Sequence, residues 1–361
     1  MATPPTNRCS ARMVRPFDHR RGGECGDLRE RSSAASSRSS SIAIGPDAET
    51  KRETRKKWGW ILAQAVIDAM RGGPRSGGVA LPDSVTEELL HAYTSDGLLL
   101  EGVRHGPPPS DLAIVYMHGV RSSVFRQGHV RVGRELGAAG YTVIAGNNRG
   151  SGLATPLPTR DGVRLGGAWF ERLEDAAEDL DAWIDLALAS GARRIVLLGH
   201  SLGAVKALLY TSARPDRELV GLILASPPLR GFAARPGEDL LARAREAVNA
   251  GRPQELVDLG TAGLTFGRLS AATILSRSLV GDPSGLLVTT SCPVLAMYGT
   301  DEAAVGGESD LERLRQVIPD RFTGAMIAGA NHLYSGHERD VADAITRWID
   351  SAVSLRPAAA R

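Results

Sequence analysis

From about residue 84 onward, short unbroken apolar runs alternate with stretches of helical period, and this pattern constrains the fold more than any other feature. Leu112–Met117 reads LAIVYM, with no polar position, as a strand covered on both faces would. Tyr141–Ala145, Ile195–Leu198, Leu219–Ala225, Val294–Tyr298 and Gly324–Ala328 are runs of the same kind. Glu87–Thr94 and Leu98–Arg104 flank the turn Ser95-Asp96-Gly97 and read as two strands of a hairpin. Between the runs, Val130–Ala139, Leu173–Leu188, Leu202–Ser212 and Asp340–Val353 carry apolar residues at helical spacing. Strands that alternate with helices predict an α/β fold with a mostly parallel sheet. The alternation breaks between Leu229 and about Thr290, where Glu238–Ala250 and Ser270–Leu279 read as helices and no strand is evident. An insertion of that size between two sheet strands suits a helical cap over a site (residues 229–290).

Composition removes several alternatives. Of the 361 residues, 42% are hydrophobic, enough for a sizeable core without disulfide or metal staples. The three cysteines, Cys9, Cys25 and Cys292, fit neither a zinc site nor a disulfide framework. No apolar run reaches the ~20 residues of a membrane-spanning helix, so no integral membrane span is expected. Residues 1–57 hold 13 Lys/Arg against 7 Asp/Glu and almost no large apolar side chains, and are expected to be a disordered basic Ser/Arg-rich extension. Residues 58–83 read as a short amphipathic helix (WGWILAQAVIDAM) and a Gly/Pro linker. The main domain is then 84–353, with 354–361 as a C-terminal tail. Without an export signal or a disulfide pattern, a cytoplasmic location is expected.

One pentapeptide carries chemistry. Gly199-His200-Ser201-Leu202-Gly203 matches G-x-S-x-G, directly after the run RIVLLG and directly before the helical run LGAVKALLY. A serine on such a strand-to-helix turn is pushed above the sheet on a strained backbone, and small residues two positions away let neighbouring backbone come close. The plainer reading of Ser201 is a helix N-cap after a strand. What favours a nucleophile is its complement, because a serine needs a base and the base an orienting carboxylate. The order expected for this elbow is serine, acid, histidine. Gly299-Thr300-Asp301-Glu302 follows the run ending at Tyr298, and Gly329-Ala330-Asn331-His332 follows the run ending at Ala328. Both lie past carboxyl ends of strands, the edge at which Ser201 sits and open α/β sheets bind ligands. The catalytic residues expected are Ser201, Asp301 and His332, with the adjacent Glu302 as rival to Asp301. Backbone N–H groups of Leu202 and of Val120, in His118-Gly119-Val120-Arg121, are expected to form an oxyanion hole. Arg121 suits an anionic substrate or a structural ion pair.

Met117-His118-Gly119, Gly199–Gly203, Gly299–Glu302 and Asn331-His332 together resemble the α/β-hydrolase superfamily over about Ser84–Val353. Asn147-Asn148-Arg149-Gly150-Ser151-Gly152 stands where such proteins often carry Asp-x-Arg-Gly-x-Gly, and with Asn147 in first position it reads as scaffold. The resemblance implies an eight-stranded, mostly parallel sheet flanked by helices, with a cap inserted after the sixth strand. The acid turn and the cap segments Glu246–Leu256 and Leu269–Thr273 are weakly similar to the fungal siderophore ester hydrolases.

These readings predict a serine hydrolase that cleaves a small-molecule carboxylic ester through an acyl-enzyme, with no metal or organic cofactor and no nucleic-acid partner. Amide, thioester or carbon–carbon hydrolysis starts from the same three residues. A non-catalytic ligand-binding protein on the same fold is the alternative from another class. The oligomeric state is not legible.

Overall fold

The computed structural model describes residues 85–109, 111–215, 219–233, 236–259 and 267–353. The extension, the amphipathic helix, the linker and the tail expected from the sequence lie outside the described residues.

Eight strands form one sheet: β1 (Glu87–Tyr93), β2 (Leu99–His105), β3 (Leu112–Met117), β4 (Thr142–Gly146), β7 (Arg194–His200), β8 (Leu219–Ala225), β11 (Val294–Gly299) and β12 (Phe322–Ile327). Two hairpins stand apart, β5 (Thr155–Thr159) with β6 (Gly162–Gly166), and β9 (Leu256–Asp258) with β10 (Arg268–Ser270). The sheet order is β1-β2-β4-β3-β7-β8-β11-β12. β1–β2 and β2–β4 pair antiparallel, and every later pair is parallel. Six consecutive neighbours, β4 to β12, therefore end on one edge, and the segments that follow them meet there.

The helices are α1 (Gln127–Ala138), α2 (Ala176–Ala189), α3 (Leu202–Ala213), α4 (Leu229–Ala233), α5 (Glu238–Asn249), α6 (Ala271–Val280), α7 (Glu308–Val317) and α8 (Glu338–Trp348). Alternation along β3 sends Ala113, Val115 and Met117 into one core, with Leu180, Trp183 and Ile184 of α2 and Leu208 of α3. It sends Ile114 and Tyr116 into the other, with Val132 and Leu136 of α1 and Val341, Ile345 and Trp348 of α8. The result is a three-layer sandwich. The last helix is shorter than the sequence periodicity suggests: it passes at Ile349 into one π-helical turn ending at Val353. Among the described residues no helix is long and apolar enough to cross a membrane.

The expected cap holds α4, α5 and α6, and α5 and α6 pack with β9 and β10 around their own apolar cluster of Leu241, Ala244, Ala247, Val257, Leu269 and Ile274. It follows β8, the sixth strand of the large sheet in chain order. The expectation that it contains no strand is corrected: β9 and β10 pair over three residues each, too short a run for alternation to register. The hairpin β5–β6 was not anticipated either, since Pro156 and Pro158 in β5 argue against a strand except at an edge.

A glycine pair fixes where α2 sits. Gly102 and Gly146 face each other across β2 and β4. The indole of Trp183 lies over both, and a Cβ on Gly102 would come 2.6 Å from the ring; one on Gly146 would overlap it. The indole N–H donates to the Asn147 carbonyl at 2.9 Å, so the same tryptophan anchors the loop that leads toward the site. Gly146→Ala is expected to destabilise the fold by about 1–3 kcal/mol through overpacking. Urea denaturation measures this, and an unchanged midpoint would show that Trp183 is not seated against the strands.

Candidate active site

Ser201 joins β7 to α3 with φ 55° and ψ −124°, in the left-handed half of backbone space. Its neighbours explain how a serine is held there. A Cβ on Gly203 would lie 2.5 Å from the Met117 carbonyl oxygen, and one on Gly199 would strike the Gly203 carbonyl. A side chain at Gly203 would push the elbow away from β3, and one at Gly199 would push α3 off β7. The Ser201 N–H donates to the Ala225 carbonyl at 2.8 Å, which ties the turn to β8.

The Ser201 hydroxyl lies 2.9 Å from His332 Nε2. On the other side of the ring, His332 Nδ1 lies 2.7 Å from Glu302 Oε2. The acid beside the imidazole is thus Glu302 and not Asp301, which corrects the sequence expectation. Glu302 is 1% exposed, whereas Asp301 is exposed and its carboxylate accepts from the neighbouring Thr300 hydroxyl at 3.3 Å. The backbone explains the difference: Asp301 N–H donates to the Ala330 carbonyl and pins the turn, and the next residue carries its side chain inward.

Glu302 is held at both oxygens. Oε1 accepts from the Gly299 N–H at 2.5 Å and from the Ser226 hydroxyl at 2.6 Å. A carboxylate only accepts, so Ser226 spends its proton there and accepts in turn from Tyr334, whose phenol lies 2.7 Å away. Burial, reinforced by the Glu302 charge, raises the Tyr334 pKa well above the ordinary phenol value, so it remains a donor. Sequence reasoning missed Ser226 and Tyr334. The available signal was position: Ser226 directly follows β8 on the same sheet edge.

The loop after β3 reaches the nucleophile as expected. A Cβ on Gly119 would come 2.8 Å from Ser201 Cβ and 3.3 Å from its Oγ. His118 is buried and its Nδ1 lies 2.7 Å from the Gly119 carbonyl, while Nε2 accepts from the Asn148 N–H at 3.2 Å. The ring proton therefore sits on Nδ1 and donates to Gly119. A trans peptide points its C=O and N–H in opposite directions. Fixing the Gly119 carbonyl on the His118 side turns the Val120 N–H the other way. Leu202 opens α3, so its N–H is one of the first-turn donors without an intrahelical acceptor. Behind this loop a buried polar cluster joins body and cap. Lys206 donates to Asn148 at 2.9 Å and to Glu171 at 2.5 Å, and Arg277 of α6 reaches Glu171 at 3.0 Å. Burial opposes the Glu171 charge, but Lys206 and Arg277 hold its pKa below the usual carboxylate value.

His200 directs Nε2 to the His332 carbonyl at 2.7 Å, coupling the elbow to the histidine loop. Its ring lies between those of His129, edge-on, and His332, tilted, at centroid separations of 5.3 and 5.1 Å. Burial lowers the pKa of His118 to about 4 and of His200 to about 3, and holds His129 well below its ordinary value. These imidazoles stay neutral in the folded protein while the unfolded chain takes up protons near pH 6.5. The unfolded state then binds more protons between about pH 4 and 6.5, so stability falls as pH falls through that window. Urea midpoints at pH 7.5 and 5 should show this drop, and His129→Gln should reduce its slope. A slope that does not change in the variant would mean that His129 is not buried neutral.

The profile of the serine aminopeptidase family S33 matches residues 108–259, a span that includes Gly119 and the elbow and stops before Glu302 and His332. A comparison with curated proteins finds no match. Among solved structures, DcsB in complex with its substrate analogue is similar at 16% identity and TM-score 0.58, over 74% of this chain and 100% of that one. Est1E from Butyrivibrio proteoclasticus with bound ferulic acid is similar at 16% identity and TM-score 0.51, over 75% of this chain and 97% of that one. The Pyrococcus furiosus esterase Pf2001 is similar at 18% identity and TM-score 0.52, over 78% and 97%. At such identities the likeness speaks to the fold. With the eight-stranded sheet, it shows an α/β-hydrolase fold, and the profile match supports the α/β-hydrolase superfamily.

Proposed function

We propose that the protein is a serine hydrolase of carboxylic esters, with Ser201 as nucleophile, His332 as general base and acid, and Glu302 as the orienting acid. The reading rests on one observation: the unbroken line from the Ser201 hydroxyl through His332 to Glu302, at 2.9 and 2.7 Å. Esterases with similar folds, Est1E and the Pyrococcus enzyme among them, support an ester as substrate.

In this mechanism His332 Nε2 takes the Ser201 proton as Oγ attacks the ester carbonyl carbon. Glu302 holds the ring proton on Nδ1, leaving Nε2 free to accept, and stabilises the imidazolium that forms. The Val120 and Leu202 N–H groups receive the carbonyl oxygen as it becomes an oxyanion, each worth about 3–4 kcal/mol by mutational precedent. The imidazolium then protonates the leaving alcohol, and the acyl group stays on Oγ. Water, deprotonated by His332, attacks the acyl-enzyme and releases the acid.

The S33 match makes amide hydrolysis the second reading, because the steps differ only in the leaving group. Rates on matched p-nitrophenyl esters and aminoacyl p-nitroanilides separate the two, and a preference for the anilide would reverse the assignment.

A fluorophosphonate probe should label Ser201, with labelling lost in Ser201→Ala. Glu302→Gln should lower kcat by about 10³–10⁴, the scale of a triad left with the wrong tautomer. Asp301→Asn should change it by less than about tenfold, as befits an exposed charge. The opposite ranking would return the role to Asp301, and an unlabelled serine would favour a binding protein over an enzyme.

A further inference from the structure

A second line of side chains runs beside the first. Tyr116 OH lies 2.6 Å from His129 Nδ1, and His129 Nε2 lies 2.9 Å from the Ser122 hydroxyl. It looks like another serine–histidine dyad, but the protons run the wrong way. Tyr116 is buried, and among the described residues its phenol has no other partner. A buried hydroxyl hydrogen is almost always used, so it donates to Nδ1. Burial holds the His129 pKa well below the ordinary imidazole value, so the ring stays neutral. Its one ring proton therefore sits on Nε2 and donates to Ser122. Ser122 is thus an acceptor toward His129, and its own proton is left for another partner. His129 holds no vacant lone pair for that proton, so Ser122 is not a second nucleophile. A hydroxyl that already accepts one hydrogen bond is the better donor for the next.

Ser122 closes the backbone turn that begins at Gly119, the residue packed against the nucleophile. Ser122 is half-buried, and its N–H donates to the Gly119 carbonyl at 3.4 Å, the residue packed against Ser201. The same short segment carries two guanidinium groups. Arg121 adjoins Val120, is half-buried, and takes a φ of 55° that side chains rarely adopt. Arg126 is exposed and forms no ion pair among the described residues. Arg121 and Arg126 stand five residues apart on the segment that runs from the turn at Gly119 to the start of α1. Like charges gathered on one segment, beside a donor with a spare proton, suit an anionic oxygen group better than a neutral one.

We propose that the segment Gly119–Arg126 is a recognition subsite for a carboxylate carried by the substrate, with the Ser122 hydroxyl as neutral donor and Arg121 and Arg126 as cations. The substrate class is then a monoester of a short dicarboxylic acid. This rests on the ester-hydrolase reading above.

The test is a specificity ratio: kcat/KM for monomethyl glutarate over that for methyl hexanoate, followed by pH-stat at low and high salt. The ratio should favour the glutarate ester by about tenfold or more and shrink as salt screens the cations. Ser122→Ala and Arg126→Gln should each cut the ratio by about tenfold, the scale of one hydrogen bond to a charged group. Tyr116→Phe touches no substrate, yet should cut it like Ser122→Ala, because His129 can then turn its proton to Nδ1 and draw the Ser122 proton to Nε2. The double variant Tyr116→Phe/Ser122→Ala should lose no more than either single one. A purely structural Tyr116 would instead lower both substrates together. Melting temperatures identify any variant that fails to fold, and Arg126, being exposed, supplies a decisive variant if Tyr116→Phe does. A wild-type ratio of one or less, or a ratio unmoved in Arg126→Gln, overturns the subsite even if methyl hexanoate is cleaved. If neither ester is cleaved and no probe labels Ser201, the function reading fails by itself. Calorimetry of glutarate on Ser201→Ala protein then still decides the subsite: binding lost in Arg126→Gln supports it, and no binding overturns it.

Discussion

The elbow at Ser201 is the constraint on which the rest of the site depends. A parallel strand must turn into a helix within one residue, with a side chain standing up from the sheet edge. The turn works only because the backbone of Gly203 lies against the Met117 and His118 carbonyls, nearer than any Cβ allows. That contact draws β3, β7 and α3 together, and so brings the loop after β3 beside the hydroxyl. The sheet order does the remainder: β8, β11 and β12 follow β7 in sequence across the sheet, and each delivers one part of the apparatus from its carboxyl end. Ser226, Glu302 and His332 need no long reach to meet.

Strain is concentrated in the same place. Among the described residues, four that are not glycine have positive φ: Arg121, Ser201, Ser226 and Tyr334. One is the proposed nucleophile, one flanks the loop at its side, and two support Glu302. Each such backbone costs about 1–3 kcal/mol, which the surrounding packing must offset. The hydrogen bonds there offer that compensation. Glu302 has three donors on its two oxygens, and His332 is fixed at Nδ1, at Nε2 and through its carbonyl by His200. Order at the imidazole is thus built from the sheet edge outward and does not depend on the cap.

Much of this was legible in the sequence because it rests on local rules. Runs such as LAIVYM and LVGLILA have the length and composition of strands buried on both faces, and they locate six strands of the sheet. GHSLG between a strand and a helix locates the elbow, and chain order locates His332. The choice between Asp301 and Glu302 was not legible, since adjacent acids in one turn share every local signal, and the decision comes from the contact between Asp301 N–H and the distant Ala330 carbonyl. The hairpin β5–β6 hides behind its prolines, and β9–β10 is shorter than a period can show. Lys206, inside the apolar helix LGAVKALLY, was a clue left unused: a buried ammonium needs a carboxylate, and Glu171 supplies it from a loop 35 residues earlier.

The pairing of His332 with Glu302 can be observed directly, without substrate, in the low-field proton spectrum of the resting protein. A ring N–H held at 2.7 Å by a buried carboxylate is shielded from solvent exchange and shifted far downfield. Such a resonance, assigned to His332 Nδ1–H, is expected to persist in Asp301→Asn and to vanish or move upfield in Glu302→Gln. A resonance that instead follows Asp301, or a His332 ring proton exchanging freely with water, would contradict the arrangement on which the proposed chemistry stands.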